Sequence, residues 1–549
     1  VQTLIFKLFK IKDMKSRILT KILTALVVVI ALTSCSKKLD LSPVNDLTPE
    51  KTFSTAAGYK SVLAKIYGTL SITGNAGPSG APDIAGGLDE GSQVAFIRMF
   101  FNCEELPTDE AVVAWNDQTI HDFHDLKWTS SDPFLKGIYA RPIYNITLIN
   151  EYLRESTPEK LTARNITGND AAEIKKSRGE ARFLRAFNYW VMLDLFGKST
   201  FIDESNLIGT DLPGEKSRAE LFTYIETELK AIDAELATVK TIEYGRVDQG
   251  AAWALLARLY LNAQVYTGAP KYTEAVTYAN KAIAGGYSLQ PSYPQLFMAD
   301  NDKQKDEFIF AINCDGLRTQ AYGNTTFFVH AASGDDHNDF GVAGGWGGYR
   351  ATKGLADLFT DLTGATDKRA LFSTSAFGTS ASQIAISDVS NFANGLHVNK
   401  YKNIRSDAGQ VSDITRNFSD VDFPVFRLSE MYLIYAEAVL RGGTGGDAAT
   451  ALNYINLIRA RAYGDVSGNI GAASLTTDFV LAERGRELYW EGHRRTDLIR
   501  YGLLTSGTYL WPWKGGVSSG TAVDTKYNLF PIPATNRTAN SKLTQNTGY

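Results

Sequence analysis

Residues 251–286, AAWALLARLYLNAQVYTGAPKYTEAVTYANKAIAGG, decide the fold. Ala252, Leu255, Leu256 and Leu259 recur at three- and four-residue steps, and Tyr272, Ala275, Ala279 and Ala282 do the same further on, so each set lines one face of a helix. Gly268 and Pro270 stand between the two sets, where they interrupt helical structure. The segment is predicted to be a helical hairpin, its alanines small enough to let the two helices approach closely.

The same periodicity extends outward. Leu221, Ile225, Leu229, Ile232 and Leu236 form one apolar stripe, and Phe183, Phe187, Trp190 and Val191 form another that Gly197 is placed to stop. Further helices are predicted over 428–441 and 448–462, and a third over Thr477 to about Tyr501. The hairpin resembles a tetratricopeptide unit, although no 34-residue period repeats cleanly along the chain. Between the helical blocks, 71–134, 311–350 and 371–424 are dense in Gly, Asn, Asp, Ser and Thr with isolated aromatics. Loops of that length inside a domain are usually functional. The reading is mainly α, a helical scaffold bearing an irregular face.

Before this body lies a different kind of sequence. From Met14, the basic residues Lys15, Arg17 and Lys21 precede the apolar run Ile22–Leu32, which ends in Leu32-Thr33-Ser34-Cys35. Spanning a bilayer takes about 20 residues, so this shorter run reads as a signal peptide. Its end resembles the bacterial lipobox, which makes Cys35 the expected lipidated residue. Residues 1–34 are then an upstream extension plus signal peptide, 35–45 a lipidated tether rich in Lys, Ser and Pro, and 46–549 one domain. Acyl chains at Cys35 would hold the protein on a membrane, since each buried methylene adds about 0.8 kcal/mol.

With 549 residues, 44% of them hydrophobic, the chain can bury a large core without a disulfide framework. Its formal charge is −4, and residues 1–34 carry six Lys or Arg against Asp13; the acidic remainder argues against nucleic acid as partner. Cys103 and Cys314 could pair in an oxidising compartment or stay as buried thiols.

No nucleophile elbow, zinc helix, phosphate loop or Cys-x-x-Cys pair appears, and the six histidines lack ligand spacing. The remaining catalytic reading is a glycoside hydrolase built on the carboxylates of Glu483, Glu487 and Glu491, four residues apart on one helical face. Arg484, Arg486, Arg494 and Arg495 are interleaved with them, which suits an ion-pair lattice of permanent anions better than a general acid. The chain is therefore read as a non-enzyme.

Sugar binding needs flat apolar faces for the C–H side of a pyranose and planar polar groups for its hydroxyls. The loops offer such residues: Asp89, Arg98, Trp115 and Gln118 in the first, Tyr322 and Trp346 in the second. Trp346 stands in Gly344-Gly345-Trp346-Gly347-Gly348, where flanking glycines leave its ring little side-chain cover.

At these residues the sequence resembles the SusD/RagB family of outer-membrane lipoproteins. The resemblance is carried by Phe101-Asn-Cys-Glu-Glu-Leu-Pro-Thr-Asp-Glu110, Ala181-Arg-Phe-Leu-Arg-Ala-Phe-Asn-Tyr-Trp190, Phe423-Pro-Val-Phe-Arg-Leu-Ser-Glu430, Trp511-Pro-Trp-Lys-Gly-Gly516, Phe530-Pro-Ile-Pro533 and Leu543-Thr-Gln-Asn-Thr-Gly-Tyr549. It implies a single domain of four tetratricopeptide-like helix pairs with a loop-rich ligand-binding face. It also implies a cell-surface protein, lipid-anchored in the outer membrane, that binds starch or malto-oligosaccharide and serves a SusC-type TonB-dependent transporter.

Carried over residue by residue, it places Asp89, Arg98, Trp115, Tyr322 and Trp346 in an aromatic arc with polar partners. Val113 and Gln118 depart from the family's starch-binding pattern, which has tryptophan and asparagine there. The family can also carry calcium, for which Asp302, Asp420 and Asp422 are the expected ligands here. A third class of reading, a helical scaffold that binds only protein, would leave the loop aromatics without a role.

Overall fold

The helices form where the apolar stripes place them. The computed structural model describes residues 48–549 apart from 75–76, 79–82, 85–93, 207–208, 210–211 and 374–383. The chain divides into two units, Val1–Ser54 and Thr55–Tyr549. The first carries the short helix Pro49–Thr52, capped by the Thr48 side chain. Cys35 and the signal segment lie outside the described residues.

The principal helices of the second unit are α1 (Ala56–Gly68), α2 (Phe96–Glu104), α3 (Pro133–Glu155), α4 (Gly168–Phe196), α5 (Arg218–Ala231), α6 (Gln249–Leu261), α7 (Tyr272–Ile283), α8 (Thr325–Ala331), α9 (Leu428–Leu440), α10 (Ala448–Tyr463), α11 (Thr477–Leu488) and α12 (Arg494–Arg500). Short strands β1 (Ala111–Val113), β2 (Phe308–Ile312), β3 (Tyr349–Ala351) and β4 (Phe423–Arg427) pair antiparallel as β1 with β3 and β2 with β4.

Local chemistry fixes the boundaries. The Asp248 side chain accepts the Ala251 N–H at 3.3 Å and caps α6, Ser217 and Glu220 form a capping box on α5, and Gly197 ends α4 with φ 69°. In the α6–α7 hairpin the two helices pack on one another, and Ala251, Ala252, Leu255, Leu256 and Leu259 on one and Ala275, Ala279 and Ala282 on the other are all buried. Each leucine enclosed there contributes about 1.5–3 kcal/mol, and a larger residue at Ala279 would force the helices apart.

Packing follows chain order: α3 on α4, α4 on α5, α5 on α6, α6 on α7, and α9 on α10, with α1 against both α3 and α4. Helix α7 meets α9 across the long insertion 284–427. Such serial neighbour packing is compatible with stacked helix pairs of the tetratricopeptide kind.

Two expectations are corrected. The 71–134 stretch contains α2, all nine of whose residues are buried, Arg98, Asn102 and Glu104 among them. The helix expected over Thr477 to about Tyr501 breaks after Leu488: Trp490 and Gly492 take φ of 61° and 79°. Their N–H groups donate to Glu110 Oε2 at 3.2 Å and Glu105 Oε1 at 2.6 Å, outside the helical ladder. Glu491 therefore stands beyond the helix that bears Glu483 and Glu487. Both Cys103 and Cys314 are buried free thiols, so the disulfide alternative does not form.

Candidate functional site

The β1–β3 pair joins two loops distant in sequence, with Val113 opposite Tyr349 and the Ala114 N–H donating to Gly348 O at 2.8 Å. Trp115 leaves the end of β1 and Trp346 precedes the start of β3, so the pairing sets both indoles on one face. Helix α2 supplies Arg98, whose backbone N–H donates to Gly323 O at 3.0 Å. That bond ties α2 to the turn bearing Tyr322.

Phe327, a buried residue of α8, is the hub. Its ring lies 5.9 Å from Trp115, 6.4 Å from Trp346 and 4.9 Å from Tyr349, centroid to centroid. The Arg98 guanidinium sits 4.3 Å over it and 5.9 Å from the Trp115 ring, a cation–π arrangement that holds a cation against an apolar floor. Tyr322 meets Trp346 edge-on at 6.0 Å and leans on Phe418 at 5.4 Å.

Trp346 is 36% exposed. One face of its indole is covered by His330, stacked at 4.6 Å and 21°. The two imidazole nitrogens face Gly344 O at 2.6 Å and Asn417 O at 3.1 Å, which locks the ring under the tryptophan. Burial pulls the His330 pKa below its ordinary value, outweighing the two carbonyls that raise it. The imidazole thus floors a tryptophan that keeps part of its surface open. Gly348, at φ 102°, admits Trp115: a Cβ there would sit 2.5 Å from the indole Cε2.

The structure therefore brings together Arg98, Trp115, Tyr322 and Trp346. Gln118 is exposed three residues past Trp115 with φ 27°, a left-handed backbone that asparagine tolerates better than glutamine. Asp89 lies outside the described residues. Val113 is fully buried in β1, facing the interior and not the open face. Sequence reasoning missed His330, Phe327 and Tyr349, whose roles depend on which distant strand pairs with which. A cavity of about 670 Å³ lined by Tyr59, Leu63, Tyr67, Tyr244, Phe310 and Ile312 shares none of these residues.

Of the expected calcium ligands, Asp302 and Asp420 both lie near enough to Asp422 to act on its charge. Among the described residues no group of three or more His, Cys, Asp or Glu side chains is placed to hold a metal ion. Asp420 accepts from the Gly316 and Ser412 N–H groups at 2.8 and 2.6 Å. Asp422 accepts from the Cys314 N–H at 2.7 Å and the Tyr244 hydroxyl at 2.9 Å. Burial, reinforced by the neighbouring Asp302 and Asp420 carboxylates, pushes the Asp422 carboxyl up to about 7. Asp302 is exposed.

The carboxylates of the hydrolase reading are structural. Arg369 bonds Glu483 at 2.7 Å and Glu487 at 3.3 Å, Arg459 bonds Glu483 at 2.8 Å, and Arg427 bonds Glu491 at 2.7 Å and Glu307 at 2.9 Å. Burial alone would raise the Glu483 carboxyl, but Arg369, Arg486 and Arg459 outweigh it and hold it at about 2. Glu487 is likewise held below the usual carboxylate range against its burial, by Arg461, Arg427 and Arg369. Neither can present a proton to a leaving group near neutral pH.

Fold and face together define a class of protein: a stack of packed helices whose loops display stacked aromatic rings beside a buried guanidinium. Residues 378–549 match the sequence model of the SusD family, and the chain is 36% identical over 582 aligned positions to the starch-binding protein SusD of Bacteroides thetaiotaomicron, covering 98% of this chain and all of that one. The chain belongs to the SusD family. Among solved structures, it is similar to a SusD superfamily protein from Bacteroides vulgatus (TM-score 0.67, 21% identity, 90% of this chain and 99% of that one). It is also similar to surface glycan-binding protein A from Bacteroides thetaiotaomicron in complex with laminarihexaose (TM-score 0.66, 20% identity, 89% and 99%). At those identities the two structures speak for the fold.

Proposed function

We propose that this protein is a non-catalytic glycan-binding lipoprotein of the cell surface, anchored in the outer membrane through Cys35. It captures starch and malto-oligosaccharides and delivers them to a SusC-type TonB-dependent transporter. The observation that carries the binding reading is Trp346, an indole stacked on His330 and still 36% exposed, with Tyr322 at its edge and Arg98 and Trp115 across Phe327. Open rings stack on sugar faces, and a guanidinium reaches sugar hydroxyls in pairs. Starch as the ligand rests on the likeness to the starch-binding relative. Tethering beside a transporter raises the local glycan concentration at its mouth. No described helix is long and apolar enough to cross a membrane. Glu483 and Glu487, locked as anions among arginines, support the non-catalytic reading.

A second reading, a binder of a different glycan, is favoured by Val113, which offers the face no ring. Calorimetric titration with maltoheptaose, a cyclic maltodextrin and laminarihexaose separates the two. Heat only from the α-glucans is expected. Binding confined to laminarihexaose would move specificity to another glucan, and binding to no glycan would favour a protein-only scaffold. Release of reducing sugar would overturn the non-enzyme reading.

A further inference from the structure

We propose that Phe392 is a stacking residue of the glycan site, adding to the open aromatic face a ring that Val113 does not supply; this rests on the glycan-binding reading of that face. Phe392 is 47% exposed. Scattered exposed apolar residues are ordinary, so the argument turns on where this ring sits and how firmly its loop is held.

It sits beside the site. Gly347 takes φ 61°, and a Cβ there would lie 2.9 Å from Phe392 Cδ1; Gly348 stands in the same relation to Trp115. Consecutive glycines thus receive two rings, Phe392 on the first and Trp115 on the second, immediately after Trp346. Three aromatic side chains flank one short backbone segment.

The loop is held by buried groups. Arg350 is fully buried, and its guanidinium donates to Asn394 O at 2.6 Å, to Val389 O at 2.6 Å and to Asn391 O. Those three carbonyls bracket Phe392. The Asn394 side-chain oxygen accepts from Ser387 Oγ at 2.9 Å and from the Asp388 N–H at 3.0 Å. Beneath, Ile386 and Val389 pack with Val112 and Trp513, and Trp513 Nε1 donates to Ile386 O at 2.7 Å.

Arg350 and Val112 are also cross-strand partners in the β1–β3 pair. The strands that position Trp115 and Trp346 therefore position Phe392 as well. A ring presented to solvent on a loop tied this way has its ordering entropy already lost before ligand arrives, which is what a stacking platform requires.

The test is titration of maltoheptaose and laminarihexaose into the wild type, Phe392→Ala, Phe392→Leu, Phe392→Trp and Trp346→Ala, with thermal midpoints as the folding control. The glycan that binds the wild type should bind Phe392→Ala about fivefold more weakly or worse. Leucine should fail to restore affinity, because it has bulk without a flat face, and tryptophan should restore it at an unchanged midpoint. Wild-type affinity in Phe392→Ala, alongside loss in Trp346→Ala, would overturn the role of Phe392 and leave the site standing. Unchanged binding in Trp346→Ala would instead bring down the site, and Phe392 with it.

Discussion

Two regions of this molecule treat their most interactive side chains in opposite ways. Around Arg369, Arg427, Glu483 and Glu487, guanidinium and carboxylate groups are buried and turned on one another. On the face built by β1, β3 and α8, the rings of Trp115, Tyr322 and Trp346 keep surface open to solvent, as does Phe392 on the loop beside Gly347. The first region uses its chemistry to hold α11 against β4 and the 367–369 turn; the second leaves its chemistry unspent. Residue type alone does not separate them, since both are rich in groups that bind sugars in other settings. Burial and partner satisfaction do.

The sharpest break in that comparison is Glu487→Ala. Removing one carboxylate leaves Arg427, Arg461 and Arg369 buried without it, and unfolding free energy by denaturant titration should fall by about 3–5 kcal/mol. Glycan affinity of the molecules that remain folded should not change. A comparable loss of affinity would mean the lattice reaches the binding face.

Next in size is Gly348→Ala, which meets Trp115 and a φ of 102° together. We expect about 1–3 kcal/mol of strain, expressed as weaker glycan binding because Trp115 must move. Stability lost with affinity intact would show that Trp115 belongs to the core and not the face.

A smaller effect comes from His330. Its folded pKa lies below the ordinary value of about 6.5, so the unfolded chain takes up the proton first as pH falls. The stability tied to His330 is whole above pH about 6.5 and is lost as pH drops toward the folded value. Thermal midpoints of the wild type should therefore decline more between pH about 7.5 and 5.5 than those of His330→Phe. Equal declines would detach His330 from the effect. Smallest of all, Gln118→Asn should gain less than about 1 kcal/mol by easing a left-handed backbone, read as a slight rise in the midpoint.

The helical scaffold was legible because its faces repeat: alanine and leucine at three- and four-residue steps define α6 and α7 without reference to any partner. Helix α2 was hidden by its shortness, nine residues set within a long stretch rich in Gly, Asp and Ser, although Arg98 and Asn102 stand four apart on it. The break after Leu488 was hidden because its N–H groups are satisfied by Glu105 and Glu110, nearly four hundred residues earlier. In the site, Trp346 showed itself through its glycine neighbours. His330 and Phe392 did not, because the first acts through a stack and the second through a strand pair that only the folded chain creates.

The central claim is that an open indole on this face binds glycan. Titration of maltoheptaose into the wild type and Trp346→Ala under identical conditions tests it most directly. The wild type should bind and the variant should lose at least tenfold in affinity, about 1.4 kcal/mol or more, with its thermal midpoint unchanged. Equal affinity in the two proteins would contradict the claim and place the ligand elsewhere on the molecule.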